Sequence, residues 1–351
     1  MNFIDKMWSL VTNDMGIDLG TANTMVTVKG RGIIIKEPSV VALNKKTKQI
    51  LAVGKEARRM IGRTPANVVA VKPLSDGVIS DFDTTEAMIR YFIKKGHEDE
   101  KRSFKLPRPR VVIGIPSVVT EVEARAVVDS ALSAGARKAY VIEEPMAAAI
   151  GAGLPIEEAS GNMIVDIGGG TTDVAIISLG GIVVDRAIRI AGSEMDEEIV
   201  NFARHKYNLL IGERSAEDIK IEIGSAMPLK KEKKVEMKGR DLVSGLPKDI
   251  TITSVEIREV LMKPLNQIVD AIKEAIEATP PELLSDVLEK GIILAGGGAL
   301  LRGVDKYLEK KLKTPVHIAE DPISCVVRGA GKVVEDIEML SKVQVVGEDL
   351  I

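Results

Sequence analysis

The eight residues Asp166–Asp173, DIGGGTTD, place three consecutive glycines and two hydroxyls between two carboxylates. Glycines without a Cβ let backbone N–H groups approach an anion closely and tolerate positive φ. Carboxylate oxygens and hydroxyls are the ligands a hard cation prefers. Gly168, Gly169, Gly170, Thr171 and Thr172 beside Asp166 therefore form a set suited to phosphate with Mg²⁺. An ordinary glycine-rich hairpin turn would read the same way. A second copy separates the two readings. Met15–Val28, MGIDLGTANTMVTV, overlays the later stretch at one constant offset, with Asp18 on Asp166, Gly20 on Gly168 and Thr24 on Thr172. The match continues with Val26 on Val174, Gly32 on Gly180 and Ile34 on Ile182. So long a period is no solenoid repeat. It implies two related domains whose turns could clamp a polyphosphate from both sides.

Two further stretches carry chemistry. Glu144 follows the apolar strand Tyr140–Ile142 and opens the small-residue segment Met146–Ala152. A carboxylate at a strand-to-helix junction stands where ligands bind in α/β sheets and could orient or deprotonate water; a helix cap or an ion-pair partner is the structural alternative. Gly291–Gly303, GIILAGGGALLRG, reads as a buried strand, a triple glycine and a helix start, a place for an anion or a nucleotide edge. Glu217 and Lys220 share one face of a helix over Ser215–Ile223, which alone is surface charge.

The elements that must position these residues alternate strand and helix. Met163–Ile167 and Val174–Ile177 are apolar enough for buried strands flanking the turn. Val40–Leu43 and Ile50–Val53 read as a hairpin, Asp83–Gly96 as a helix, and Val111–Ile115 as a buried strand. Thr120 with Glu123 makes a capping box for the next helix. Further helices are expected at Ile199–Tyr207 and Ser254–Ala278, a hairpin insert in Leu229–Leu246, and a last helix from about Ser324 to Ser341. The 351 residues suffice for two large domains. A hydrophobic share of 45% and a charged share of 28% are those of a soluble globular protein. The net charge of −3 argues against a nucleic-acid binder driven by phosphate neutralisation. The single cysteine, Cys325, excludes an internal disulfide framework and fits a reducing cytosol.

Two segments could meet a membrane surface. On a helix over Met1–Asn13, the residues Phe3, Ile4, Met7, Trp8 and Val11 form one apolar face, as in an in-plane anchor; packing on its own domain is the alternative. In the basic segment Lys101–Arg110, Phe104 and Leu106 stand among five cations and could insert beside lipid head groups; a solvated loop is the alternative. No apolar run is long enough to span a bilayer.

In this order, GIDLGTANT, VDIGGGTTD and GIILAGGGALLRG resemble the actin, heat-shock chaperone and sugar-kinase ATPase superfamily. With IEEPMAAAIG, EPSVVAL, IGRTPANVVAVKP, RIAGSEMDEEIV and TPPELLSDVLEKGI they resemble, more narrowly, the rod-shape-determining bacterial actins of the MreB family. The likeness runs from about Asp14 to Glu335; Ser117–Thr120 replaces a more usual glycine-containing turn, and the last ten or so residues look unmatched. The resemblance implies an α/β, actin-like ATPase fold: two related domains of four subdomains around a nucleotide cleft. Subdomain IA would take 14–37, 78–158 and 325–351, IB 38–77, IIA 159–196 and 258–324, and IIB 197–257. It implies ATP or ADP with Mg²⁺, held through water by Asp18 and Asp166. Amides of Thr21, Ala22 and Asn23 beside Gly20 would bind phosphates from one side, and those of Gly169, Gly170 and Thr171 beside Gly168 from the other. Glu144 would position the attacking water, with Thr171 and Thr172 near the γ-phosphate. Glu217 and Lys220 would reach ribose and adenine, and Gly297, Gly298, Ala299 and Leu300 would lie under the base. It further implies filaments of paired, antiparallel protofilaments on the inner face of the cytoplasmic membrane, with RodZ-like and cell-wall elongation proteins as partners. A sugar kinase would need a dedicated acidic base, a chaperone a following substrate domain, and a plasmid-segregating actin would lack the membrane helix.

Overall fold

The computed structural model describes residues 12–75, 77–97, 108–336, 339, 343 and 345–347. The expected membrane residues Phe3, Ile4, Met7, Trp8, Val11, Phe104 and Leu106 lie outside them.

The repeat seen in the sequence reappears as two sheets of one design. In the first, the strand order is Val345–Gly347, Lys138–Glu143, Arg110–Ile115, Met15–Leu19, Asn23–Val28, Gly32–Pro38. In the second it is Gly181–Ile188, Thr172–Ser178, Asn162–Ile167, Ile292–Ala295, Val316–Ile318. Met15–Leu19 and Asn162–Ile167 hold the same place in each, beside a parallel neighbour that arrives much later in the chain. All five residues of Met15–Leu19 and all six of Asn162–Ile167 are buried, as strands covered on both faces must be. Their carboxylates, Asp18 and Asp166, consequently stand at the carboxyl ends of central strands, where α/β sheets bind ligands.

The chain forms two compact units: residues 1–160, 177–183 and 323–351, and residues 161–176 and 184–322. The first has its core between the six-stranded sheet and the helices Phe82–His97 and Glu121–Ser133, built on Met15, Ile17, Met88, Phe92 and Ile113. It carries a small sheet of Ile50–Val53, Val41–Asn44 and Val68–Val71. The second buries Val165, Ile176, Ile199, Leu261, Ile268 and Leu294 together. It carries a three-stranded sheet of Leu209–Leu210, Lys234–Asp241 and Pro247–Thr253.

Most element boundaries follow the pattern of the sequence, including the Thr120–Glu123 capping box. Three differ for physical reasons. The helix expected from Ile199 begins at Gly192, because its first donors bond the glycine turn rather than solvent: Gly192 N–H to Gly168 O (3.2 Å) and Ser193 N–H to Gly169 O (2.7 Å). The hairpin expected within Leu229–Leu246 turns at 242–246, where Asp241 Oδ1 accepts the N–H groups of Val243 and Ser244. The glycines of Gly291–Gly303 open a short 3-10 turn, Gly297–Leu300, and the helix itself starts at Val304 behind Gly303 in the left-handed region.

Candidate functional site

In the first unit, strand register brings Asp18, Gly114 and Ile142 into one row across three parallel strands. Glu144 lies just beyond, as the first residue of the Glu144–Ala152 helix. That helix forms because Pro145 occupies a position whose N–H has no helical partner, three alanines follow, and Gly153 in the left-handed region ends it. Seven of its residues, Glu144 to Ile150, are buried, so the sheet and the Cys325–Glu335 helix enclose it. A Cβ on Gly114 would stand 3.5 Å from Glu144 Cγ, which places the Glu144 stem over that glycine. Two carboxylates, Asp18 and Glu144, thus flank Gly114. Burial pushes the Asp18 carboxyl up from 3.8 to about 7, so near neutral pH it is only partly ionised and a cation beside it would favour the charged form.

The turn after Asp18 is fixed by its neighbours. Thr21 Oγ1 accepts the Gly77 N–H at 3.1 Å. The Ser39 hydroxyl donates to Gly20 O at 2.5 Å, and the Ser39 N–H donates to Ala22 O at 3.1 Å. Ala22 is exposed, Gly20 and Asn23 half-buried and Thr21 buried, so the turn presents backbone rather than bulky side chains.

In the second unit, Asp166 is buried and paired in register with Ala295. Gly168 N–H bonds Thr171 O at 2.9 Å, closing the loop. The Thr172 hydroxyl donates inward to Ile190 O at 2.6 Å, so of the two threonines Thr171 keeps the hydroxyl with the freer choice of partner. The start of the Gly192 helix holds the carbonyls of Gly168 and Gly169, as above. Lys220 Nζ in turn donates to Gly192 O at 2.6 Å and pairs with Asp196 at 2.8 Å. Lys220 therefore braces the turn from behind, and Asp196, which lies within RIAGSEMDEEIV without an expected role, shares that work.

The third element packs directly beneath this turn. A Cβ on Gly296 (φ +79°) would lie 2.6 Å from the Ile167 carbonyl carbon and closer still to Asp166 Oδ1. One on Gly298 would stand 2.8 Å from Ile167 Cβ. Contact with Asp166–Ile167 thus requires glycine at 296 and 298, whereas a Cβ on Gly297 would meet nothing within 4 Å. Of the four residues expected under a base, Ala299 turns its methyl into the core, while Gly297 and Leu300 are exposed and Gly298 half-buried. Glu217 is half-buried on the Glu213–Ile223 helix, one turn from Lys220.

Paired strand–turn–strand units with an aspartate before each glycine turn, on two sheets that share a five-strand order, define an actin-like nucleotide-binding fold. Comparison with known proteins narrows this: a family model described as MreB/Mbl protein matches residues 12–342, and the chain belongs to that family. It is 51% identical to the cell shape-determining protein MreB of Escherichia coli K12 over 340 residues, covering 96% of this chain and 97% of that one. It is 50% identical to the cell shape-determining protein Mbl of Bacillus subtilis over 333 residues, covering 95% and 99%. The crystal structure of MreB5 of Spiroplasma citri bound to ADP aligns with a TM-score of 0.88 at 41% identity, covering 94% of this chain and 98% of that one. The same protein bound to AMPPNP aligns at 0.87. The relatives are cell shape-determining proteins of actin-like structure, and a relative of known structure holds adenine nucleotides.

Proposed function

We propose that the chain binds ATP with Mg²⁺, hydrolyses it, and assembles with further copies of itself into filaments on the inner face of the cytoplasmic membrane that guide cell-wall synthesis. The observation that carries the nucleotide part is the pair of aspartate–glycine turns on sheets of the same order, together with a relative solved with ADP and with AMPPNP. The two turns would take the phosphates of one nucleotide, by the amides of Thr21, Ala22 and Asn23 and those of Gly169, Gly170 and Thr171. Glu217 and Lys220 would serve the ribose and adenine, and Gly297, Gly298, Ala299 and Leu300 the base. Because Lys220 is held by Gly192 O and Asp196, its contribution to adenine would come from that anchored position. The subdomain bounds expected from the sequence stand within the same proposal.

No cluster of three or more His, Cys, Asp or Glu residues able to cage a metal occurs among the described residues. That donor set suits an ion brought with the phosphates and kept partly hydrated, as Mg²⁺ usually is, with Asp18 and Asp166 accepting from its waters. Mg²⁺ when bound supplies charge neutralisation for phosphoryl transfer. The chain's own share is positional. Glycine-turn amides hold the phosphates, Glu144 orients a water and receives its proton, and Thr171 with Thr172 stands by the terminal phosphate. Glu144→Ala should keep nucleotide binding and lose phosphate release, by about 100-fold or more, the scale of a positioned general base; normal turnover would remove Glu144 from this role.

Among the described residues no helix is long and apolar enough to cross a membrane. The apolar residues of the Phe3–Val11 and Phe104–Leu106 segments would make the attachment, with paired antiparallel protofilaments multiplying weak contacts. RodZ-like and cell-wall elongation proteins would be the partners. Electron microscopy of the purified chain with ATP and liposomes tests assembly; a chain that stays monomeric under those conditions is not a filament protein.

A further inference from the structure

Ser39 lies in the EPSVVAL string but has no role among the expected site residues, yet its backbone and side chain hold two carbonyls of the first phosphate turn. Its hydroxyl donates to Gly20 O at 2.5 Å, and its N–H donates to Ala22 O at 3.1 Å. Thr24 Oγ1 lies 2.8 Å from Ser39 Oγ. A hydroxyl has one proton, and that of Ser39 is given to Gly20 O, so Thr24 must be the donor in that pair. Ser39 and Thr24 are both fully buried, at 0% exposure. The buried hydroxyls thus form a directed chain from Thr24 to Ser39, ending on the partly buried Gly20 O.

Its consequence follows from the planarity of the peptide. In a trans peptide the C=O of one residue and the N–H of the next point in opposite directions from one rigid plane, and no peptide bond among the described residues is cis. Fixing Gly20 C=O toward Ser39 therefore aims Thr21 N–H away from it. Fixing Ala22 C=O aims Asn23 N–H away in the same manner. These are two of the three amides that the proposed function assigns to phosphate. A turn rich in small residues has low intrinsic order, so its peptide planes can rotate unless something behind them is bonded.

We propose that the Ser39 side chain is a positioning group for nucleotide binding, its hydroxyl presetting the amide of Thr21 toward a phosphate by holding the Gly20 carbonyl from behind, beside the backbone bond by which the Ser39 N–H holds Ala22 O. This rests on the nucleotide reading above. Preorganisation of this kind raises affinity by removing an ordering cost from the binding step.

The test is titration of wild type, Ser39→Ala and Ser39→Thr with ADP and with ATP in Mg²⁺, alongside apo melting curves. Ser39→Ala should weaken both nucleotides about tenfold, the scale of one buried hydrogen bond lost with its acceptor left unsatisfied. Ser39→Thr keeps the hydroxyl and should restore most of that affinity. If Ser39 merely filled space, the added methyl of Thr would harm binding at least as much as its loss in Ala, and that order of effects would overturn the proposal. Unchanged affinity in folded Ser39→Ala would overturn it as well. Should Ser39→Ala not fold, Ser39→Cys, close in volume but a weak donor, takes its place with the same expected loss. Failure of wild type itself to bind either nucleotide would defeat the functional reading instead, so the two failures are distinct.

Discussion

Gly329→Ala tests how Glu144 is held in place. The Cys325–Glu335 helix runs against the Glu144–Ala152 helix with backbones nearly touching. A Cβ on Gly329 would stand 2.6 Å from the carbonyl carbon of Ala147, 2.9 Å from its Cα, and closer still to its oxygen. From the other side, a Cβ on Gly151 would stand 2.7 Å from the carbonyl carbon of Cys325. Ordinary contact begins near 3.4 Å, so the helices must part by at least 3.4 − 2.6 = 0.8 Å. The obstacle is main chain, which cannot swing aside as a side-chain end can. Overpacking of this kind costs about 1–3 kcal/mol, and a backbone collision belongs at the top of that range. Alanine returns about 1 kcal/mol of helix propensity. The net loss is about 2 kcal/mol, or roughly 4–8 °C in the melting temperature of a unit of this size. Because Glu144 begins the displaced helix, ATP turnover should fall too while ADP binding changes less. Gly181→Ala is the control, since its Cβ would meet nothing nearer than Ser178 O at 3.9 Å. Calorimetry or a urea series on both variants decides the matter. If Gly329→Ala melts with the Gly181→Ala control, the glycine contact does not set the helix position and the reasoning fails.

Further outcomes are expected at Asp14, Lys306 and Asp18. Asp14 accepts Arg110 Nε at 2.9 Å and Nη2 at 2.7 Å, with both side chains buried, so Asp14→Ala should cost about 3–5 kcal/mol in urea unfolding; Lys306→Ala, at the exposed pair with Glu309, should change nothing measurable. For Asp18, whose folded value is raised to about 7, the unfolded chain ionises first, so apo stability should decline as pH rises from about 4 toward 7 and level off above. Mg²⁺-nucleotide binding favours the ionised carboxylate, so affinity should weaken about tenfold per unit below pH 7 and flatten above it; Asp18→Asn abolishing neither slope nor affinity would contradict that assignment.

The sequence exposed the parts of this molecule whose chemistry is local. A glycine triplet beside an aspartate announces its turn, and the constant offset between Asp18 and Asp166 carried over into two sheets of one strand order. What it concealed were functions defined by distant neighbours. Spacing alone makes Lys220 a surface charge three residues from Glu217, and the family resemblance points it at ribose and adenine; neither reveals its bonds to Gly192 O and Asp196. Gly329 lies in a helix where glycine is locally unfavourable, and only its contact with Ala147 explains it. The start of the Gly192 helix was hidden because its first turn is stabilised by bonds to the glycine loop, which leave no apolar period to read.

The two turns also show how far the internal repeat extends. Their fronts match at three positions, an aspartate, a glycine, and a threonine whose hydroxyl turns inward, to Ser39 for Thr24 and to Ile190 O for Thr172, while the residues between differ in type and align by backbone position. Their backs do not. At the offset that carries Asp18 to Asp166, Ser39 falls on Ala187, which has no hydroxyl to give. The second turn has its carbonyls held instead by the amides of Gly192 and Ser193, with Lys220 behind them. Both solutions do the same physical work, tying down carbonyls so that the opposite faces of the peptides are fixed. One relies on a serine just ahead of the Val41–Asn44 strand and the other on a helix start. The resemblance between the halves therefore covers the groups expected to touch phosphate, while each half has its own means of holding them still.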